Sequence, residues 1–264
     1  MSDPMEPTQP LLPPVFQGRE DFSEFARSAT RDLRYFRSDR DKRFLEGVVS
    51  SSSGRRLTLP KGEKVWRARV GCDEVKVTID DRFLTYVDHP FQAHQMKEPP
   101  AKWDVEGRAN PRGISYLYVA SNPNTSIAEV RPWIGSKVSV AEFVAMRDIN
   151  VIDCSKHHLG LISVIGPPTV GTHEDGMWSA IDEAFAKPVQ RTEEGASYIP
   201  TQILAELFKS YGYDGIRYKS RLDEDGFNIV IFYSEVMCLV SCSLYEISGI
   251  RFEYVPERSY VTPP

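Results

Sequence analysis

Six polar side chains have the types and spacing for one kind of chemistry: Arg67, Arg69, Tyr116, Tyr118, Glu129 and Ser220. Arg67 and Arg69 alternate in the run Lys-Val-Trp-Arg-Ala-Arg-Val. In a strand both guanidiniums would share a face, where forked hydrogen bonds can hold a divalent anion or a diphosphate. Tyr116 and Tyr118 share a face by the same rule in a strand predicted over 114–120. Glu129 is the single carboxylate of a short helix that starts near Asn124 or Thr125 and must stop before Pro132. Ser220 closes the run Asp-Gly-Ile-Arg-Tyr-Lys-Ser. This metal-free set suits displacement at the anomeric carbon of a nucleotide whose leaving group already carries positive charge. In the nicotinamide–ribose bond of NAD the pyridine departs neutral, so no general acid is needed and the cost is an oxocarbenium-like centre. One carboxylate beside the ribose stabilises that charge, where ordinary glycosidases need two. Arginines would neutralise the diphosphate, a tyrosine ring would stack on nicotinamide, and a serine hydroxyl would fix the ribose or an attacking anion.

Other sites lack their signatures. The sequence contains no GxGxxG after a strand, no GxxxxGK[ST], no GxSxG and no HExxH, which speaks against a Rossmann dehydrogenase, a P-loop NTPase, an α/β-hydrolase and a zincin. The cysteines Cys72, Cys154, Cys238 and Cys242 form no CxxC pair with nearby histidines, so they read as reduced, structural thiols, and no metal is expected. The pairs His157-His158 and His173-Glu174 read as surface or capping residues.

The elements that must position the six residues follow from patterning. The chain has 264 residues, 41% of them apolar, which supports an ordinary globular core. Its net charge of −5 argues against gripping nucleic acid backbone. No apolar stretch of 18 or more residues suggests a membrane span, and the acidic, proline-bearing N-terminus is unlike a signal peptide, so the expected location is cytoplasmic. Residues 1–14 read as a proline-rich tail. From Asp21, the run Asp-Phe-Ser-Glu with Phe22, Phe25, Ala29, Leu33 and Phe36 predicts a capping box and one amphipathic helix. Ser50 to Gly54 reads as a flexible joint, dividing a preface (1–54) from a catalytic domain (55–264). Strands are predicted over 64–70, 137–145, 150–153, 214–219 and 228–233, a short one near 75–79, and helices over 174–187 and from Pro200, with a final ribbon around 245–255. Strands mixed with a few helices, without regular βαβ repeats, indicate an α+β fold.

Five segments in order resemble the motifs of the RES-domain family, named for an Arg, a Glu and a Ser: Trp66-Arg67-Ala68-Arg69, Gly107-Arg108-Ala109-Asn110-Pro111, residues 116–120, residues 125–132 with Glu129, and residues 214–220. The resemblance spans about residues 61–240. It implies an ADP-ribosyltransferase-like mixed β-sheet core with flanking helices, here with an N-terminal helical extension. It also implies NAD degradation by phosphorolysis or hydrolysis, usually by the toxin of a bacterial toxin–antitoxin pair. NAD would be the substrate, with inorganic phosphate as co-substrate in the phosphorolytic case, and no resident cofactor. By position, the implied catalytic residues are Arg67, Glu129, Ser220 and Tyr118, and the implied substrate-binding residues are Arg69, Tyr116, Arg108 and Asn110. Shorter members read Gly-Arg-Trp-Asn, whereas Ala109 stands here, and residues 71–106 read as an insertion. An antitoxin is the implied partner, and a homo-oligomer is left open. Two other readings share the pocket: an ADP-ribosyltransferase acting on a macromolecule, and a catalytically silent module that binds NAD or ADP-ribose.

Overall fold

The computed structural model describes residues 16–97, 106–156, 170–187 and 196–251. Its centre is an eight-stranded mixed sheet in the order β1-β7-β8-β9-β5-β2-β6-β10. The strands are β1 (Arg56–Leu59), β2 (Lys64–Val70), β5 (Leu117–Ala120), β6 (Lys137–Ala145), β7 (Ile149–Asp153), β8 (Gly215–Lys219), β9 (Phe227–Ile231) and β10 (Met237–Glu246). Strands β7 and β8 run parallel, and the other pairs are antiparallel. The mixed sheet with flanking helices is the α+β architecture expected from the sequence, including helices at the N-terminal end.

Alternation along the strands sorts side chains to two faces. Ile152, Tyr116, Tyr118, Ile216, Tyr218 and Val230 face a cluster built with helices α1 (Arg19–Arg31), α2 (Asp39–Ser52), α5 (Val170–Ala186) and α6 (Ile199–Ser210). Val151, Leu117, Val119, Ile229 and Ile231 face the other way, with Val65, Phe143 and Met96 of α3 (Ala93–Lys97). A third, small cluster joins Ala68, Val138 and Val140 to Trp66 and to Ile127 and Val130 of α4 (Pro123–Glu129) and its C-cap.

The preface differs from expectation in two ways. The predicted single helix is two helices: α1 ends at Arg31, leaving Leu33 and Phe36 exposed, and Ser38 caps α2 by accepting from the Asp41 N–H at 3.1 Å. Asp21 lies inside the first turn of α1, where its carboxylate accepts from the Gln17 and Gly18 N–H groups, while Glu24 pairs with Arg40. Residues 50–54 are no joint. They lie in α2 and the 3-10 turn that follows, and Ser51 accepts from the Trp178 indole N–H at 3.1 Å. Phe22, Phe25, Phe44 and Val48 enter the same core as Trp178, Ile181, Leu204 and Phe208. Buried Arg55 stacks on Trp178 and pairs with Asp175 at 3.0 Å. The tail at 1–14, His157, His158 and the end of the predicted final ribbon lie outside the described residues.

Within 71–106 the short strand predicted near 75–79 is β3 (Asp73–Ile79), and the sequence reading missed its partner β4 (Arg82–His89). Asp80 and Asp81 both adopt positive φ, 47° and 62°, the left-handed pair that a two-residue hairpin turn requires. Cys238 and Cys242 lie in β10 and are free thiols. No helix among the described residues is long and apolar enough to cross a membrane.

Two tests follow from the sheet. A Cβ at Gly215 would lie 2.1 Å from the Val230 carbonyl oxygen on the neighbouring strand. Backbone cannot yield as a side chain can, so Gly215→Ala is expected to cost about 1–3 kcal/mol or more in urea unfolding. Next to it, Asp214 accepts a forked pair from Arg147 at 2.6 and 3.1 Å and the Asn150 N–H at 2.9 Å. Burial pushes the Asp214 carboxyl up, but Arg147 and the Asn150 N–H outweigh it and hold it below the usual range. A depressed folded value stabilises above the unfolded value of about 3.9, and that gain is lost as pH falls through the folded value. The Tm gap between parent and Asp214→Asn is therefore expected to be open at pH 7 and to close in melts taken progressively below pH 4.

Candidate active site

A cleft of about 330 Å³ opens where the sheet divides. Strand β2 pairs with β6 over seven positions but meets β5 at the single register pair Trp66↔Ala120. Beyond that pair the two strands form opposite walls, with Trp66, Arg67 and Ala68 on one and Tyr118, Val119 and Ala120 on the other. Gly107 and Arg108, Ser126 and Glu129 of α4, Tyr198, Tyr218 and Asn228 complete the lining.

Helix α4 carries the acid. Asn122 ends β5 and caps the helix by accepting from the Thr125 N–H at 2.8 Å, and Pro123 fits the first turn because it needs no donor there. Asp223 accepts from the Thr125 hydroxyl at 2.5 Å, clipping the turn between β8 and β9 to the start of α4. Gly226 permits this approach, since a Cβ there would lie 2.1 Å from Thr125 Oγ1. The clip brings Ser220 and Asn228, at the two sides of that turn, to Glu129 at the helix end.

Glu129 Oε1 accepts from Ser220 Oγ at 2.9 Å and from Asn228 Nδ2 at 2.7 Å. Its other oxygen, Oε2, lies 4.0 Å from Arg108 Nη1, and the side chain keeps 23% of its surface exposed. Lys137, on the strand that follows, pairs with Asp88 rather than with this acid. Arg108 also bonds Tyr218: burial lowers its pKa, but Tyr218 and Glu129 outweigh that and hold it above its ordinary value.

Arg67 is the second cation of the cleft. The residue is half-buried, but its Nη1 is shielded from solvent and has no hydrogen-bond partner among the described residues. Burial, followed by the neighbouring charge of Arg69, pulls its pKa down to about 10, so it remains a cation at neutral pH. Such a group is costly unless an anion completes it.

The predicted residues divide. Arg67, Arg108, Tyr118 and Glu129 line the cleft, and Ser220 touches Glu129 from behind. Ser220 also accepts from the Leu222 N–H at 3.1 Å, so its hydroxyl is engaged in holding the acid rather than facing a ribose. Asn110 lies behind Tyr118: the Tyr118 hydroxyl donates to Asn110 Oδ1 at 2.6 Å and accepts from the Ala109 N–H at 3.0 Å, leaving the ring as its contribution to the cleft. The loop is fixed from α6, where Gln202 donates to Glu106, Gly107 and Asn110, and Thr201 donates to Arg108. Ala109 is fully buried and supplies no ring.

Arg69 and Tyr116 are not among the lining residues. The Arg69 guanidinium donates to the Gln95 carbonyl and lies over Phe91, 5.1 Å from its centroid. Tyr116 precedes β5 and packs on Phe232 and under Lys209. The two arginines were expected to share one anion and the two phenols one face; in each pair other partners claim one member, Phe91 and the Gln95 carbonyl taking Arg69, and Phe232 and Lys209 taking Tyr116. The sequence reading missed Asn228, Tyr218 and Tyr198. Asn228 had a legible signal, a polar residue inside the apolar run Phe-Asn-Ile-Val-Ile. Among the described residues no group of three or more His, Cys, Asp or Glu could hold a metal ion.

The RES domain family model matches residues 75–251. The chain belongs to the RES-domain family. Arg108, Tyr118, Glu129, Ser220, Tyr218 and Asn228 fall inside the matched span of this RES-domain chain, whereas Trp66, Arg67 and Ala68 of the cleft precede it. Among solved structures, a chain in the crystal structure of the M. tuberculosis MbcT–MbcA toxin–antitoxin complex aligns at 13% identity and a TM-score of 0.41, covering 76% of this chain and 93% of that one. No curated protein matches.

The Tyr118 hydroxyl gives a direct test of the loop. Tyr118→Phe keeps the ring but leaves the Ala109 N–H and Asn110 Oδ1 without this partner. The expected loss is about 1–3 kcal/mol in chemical unfolding; an unchanged midpoint would show that water replaces the hydroxyl.

Proposed function

We propose that this RES-domain chain cleaves the nicotinamide–ribose bond of NAD, by phosphorolysis or hydrolysis, as the toxin of a toxin–antitoxin pair. The observation that carries the reading is one oriented carboxylate, the sole acid among the described lining residues, in a cleft it shares with two half-buried arginines and aromatic walls. A single acid fits a substrate whose leaving group needs no proton. Nicotinamide takes the electron pair of the broken C–N bond and leaves as a neutral pyridine, positive charge develops on the ribose, and Glu129 Oε2 stabilises it. Water then gives ADP-ribose with release of a proton; phosphate gives the ribosyl phosphate ester. In this reading Arg67 and Arg108 neutralise the diphosphate or an attacking phosphate, and the Tyr118 and Trp66 rings flank the flat parts of the substrate. Family membership supports the toxin role and the expectation of an antitoxin partner.

Incubation of the purified chain with NAD, with and without inorganic phosphate, followed by product analysis, tests this directly. Free ADP-ribose indicates hydrolysis, a phosphate requirement indicates phosphorolysis, and ADP-ribose bound covalently to a macromolecule indicates transfer. Intact NAD in every arm overturns the proposal.

Two variants test the roles. Glu129→Gln keeps shape and removes the charge, so kcat is expected to fall about 10²–10³-fold with the KM for NAD much less affected. Arg67→Lys cannot form a forked pair, so the KM for NAD should rise, by about 1.5–3 kcal/mol of lost binding for a charged contact. An unchanged KM would place the diphosphate elsewhere.

A further inference from the structure

Glu129 is the last residue of α4, where the helix carbonyls make the site partly negative and disfavour a carboxylate. Its side chain therefore needs donors to stay in place. Two converge on one oxygen: Ser220 from the turn after β8 and Asn228 from β9. The second comes from the more rigid support. Asn228 is buried and sits in a central strand, in register with Tyr218 on one side and Ala120 on the other. An amide is a poor strand residue and is costly to bury without partners, so its presence here is explained by what it holds.

We infer that Asn228 is a positioning residue, which with Ser220 pins Glu129 Oε1 so that Oε2 alone is turned toward the substrate and Arg108. The inference deepens, and for its kinetic test rests on, the proposed reading of the cleft as an NAD-cleaving site. The pin acts by geometry: it fixes the plane of the carboxylate and keeps the acid from turning to Arg108 with both oxygens, which would neutralise the charge that the ribose needs. Arg108 and Tyr218 are the other polar groups packed against this carboxylate.

The test combines kinetics with a substrate-free measurement. In Asn228→Ala, kcat for NAD loss is expected to fall about 10- to 100-fold, as for a reacting group displaced by about 1 Å, with KM nearly unchanged. In the Glu129→Gln background the same substitution should cost little more, because the pinned charge is already gone. A rise in KM alone, an unchanged kcat, or losses that multiply in the double variant would overturn the inference. Should Asn228→Ala not fold, Asn228→Thr suits a strand and lacks the reach to Oε1. A crystal structure of the variant reads the carboxylate without substrate: Glu129 is expected to leave its parental position, and an unmoved carboxylate overturns the inference whatever the activity. A parent that leaves NAD intact sinks the functional reading instead, and the pin then stands or falls on the position of Glu129 in that structure.

Discussion

The whole site depends on keeping an ionised carboxylate at the wrong end of a helix. A charge in that place is tolerated when donors and an opposite charge surround it: Glu129 accepts hydrogen bonds from Ser220 and Asn228 and has the Arg108 guanidinium 4.0 Å away. Arg108 comes from the 106–110 loop and Ser220 and Asn228 from the two sides of the β8–β9 turn, so the acid can be satisfied only if that loop, that turn and its own helix α4 arrive together. The Asp223 clip on Thr125 and the Gln202 and Thr201 bonds to the loop bring them there. The local order of the cleft is thus a consequence of paying for one charge.

The N-terminal helices belong to the same logic at a larger scale. One face of the sheet would be bare over Ile152, Ile216 and Val230 without α5 and α6, and those helices in turn bury Trp178 and Phe208 against α1 and α2. Buried Arg55, held between Trp178 and Asp175, ties the end of α2 to α5. Helix α6 then carries the Thr201 and Gln202 bonds that fix the cleft loop. The described part of the preface therefore supports the site through two layers of packing.

How much of this could be read beforehand depended on whether the signal was local. Strand β6 matches its predicted bounds, because its nine residues are rich in Val, Phe and Ala with no Gly or Pro to break them, and α6 begins beside Pro200 as turn chemistry requires. The strand predicted over 114–120 starts only at Leu117, since Asn110 Nδ2 binds the Ile114 carbonyl and keeps the preceding residues in the loop. Glu129 and Arg67 could be singled out by type and spacing. Which of two equivalent candidates enters the cleft could not: Tyr116 and Tyr118 share a face, and Phe232 and Lys209 take the first while Asn110 takes the second. Arg69 is lost to Phe91 and Gln95, residues of a segment in which no role had been legible. Partners distant in sequence made these choices, and a single sequence does not show them.

The division of the sheet explains why residues before the matched family span are needed for the cleft. Strand β2 is the bridge between β6 and β10 on one side and β5 with the strands beyond it on the other. Its long pairing with β6 holds it rigidly, while the single pair with β5 lets the seam open. A fully zipped seam would seal the cleft, and an absent pair would detach β6 and β10 from the rest of the sheet. Arg67 follows Trp66, the residue of that pair, so its charge is placed at the point of opening with Nη1 free of partners among the described residues. Burial makes such a cation expensive, and an anion entering the seam would recover the cost. In the proposed reading, the placement that makes this cation costly is what would favour a diphosphate or phosphate in the seam.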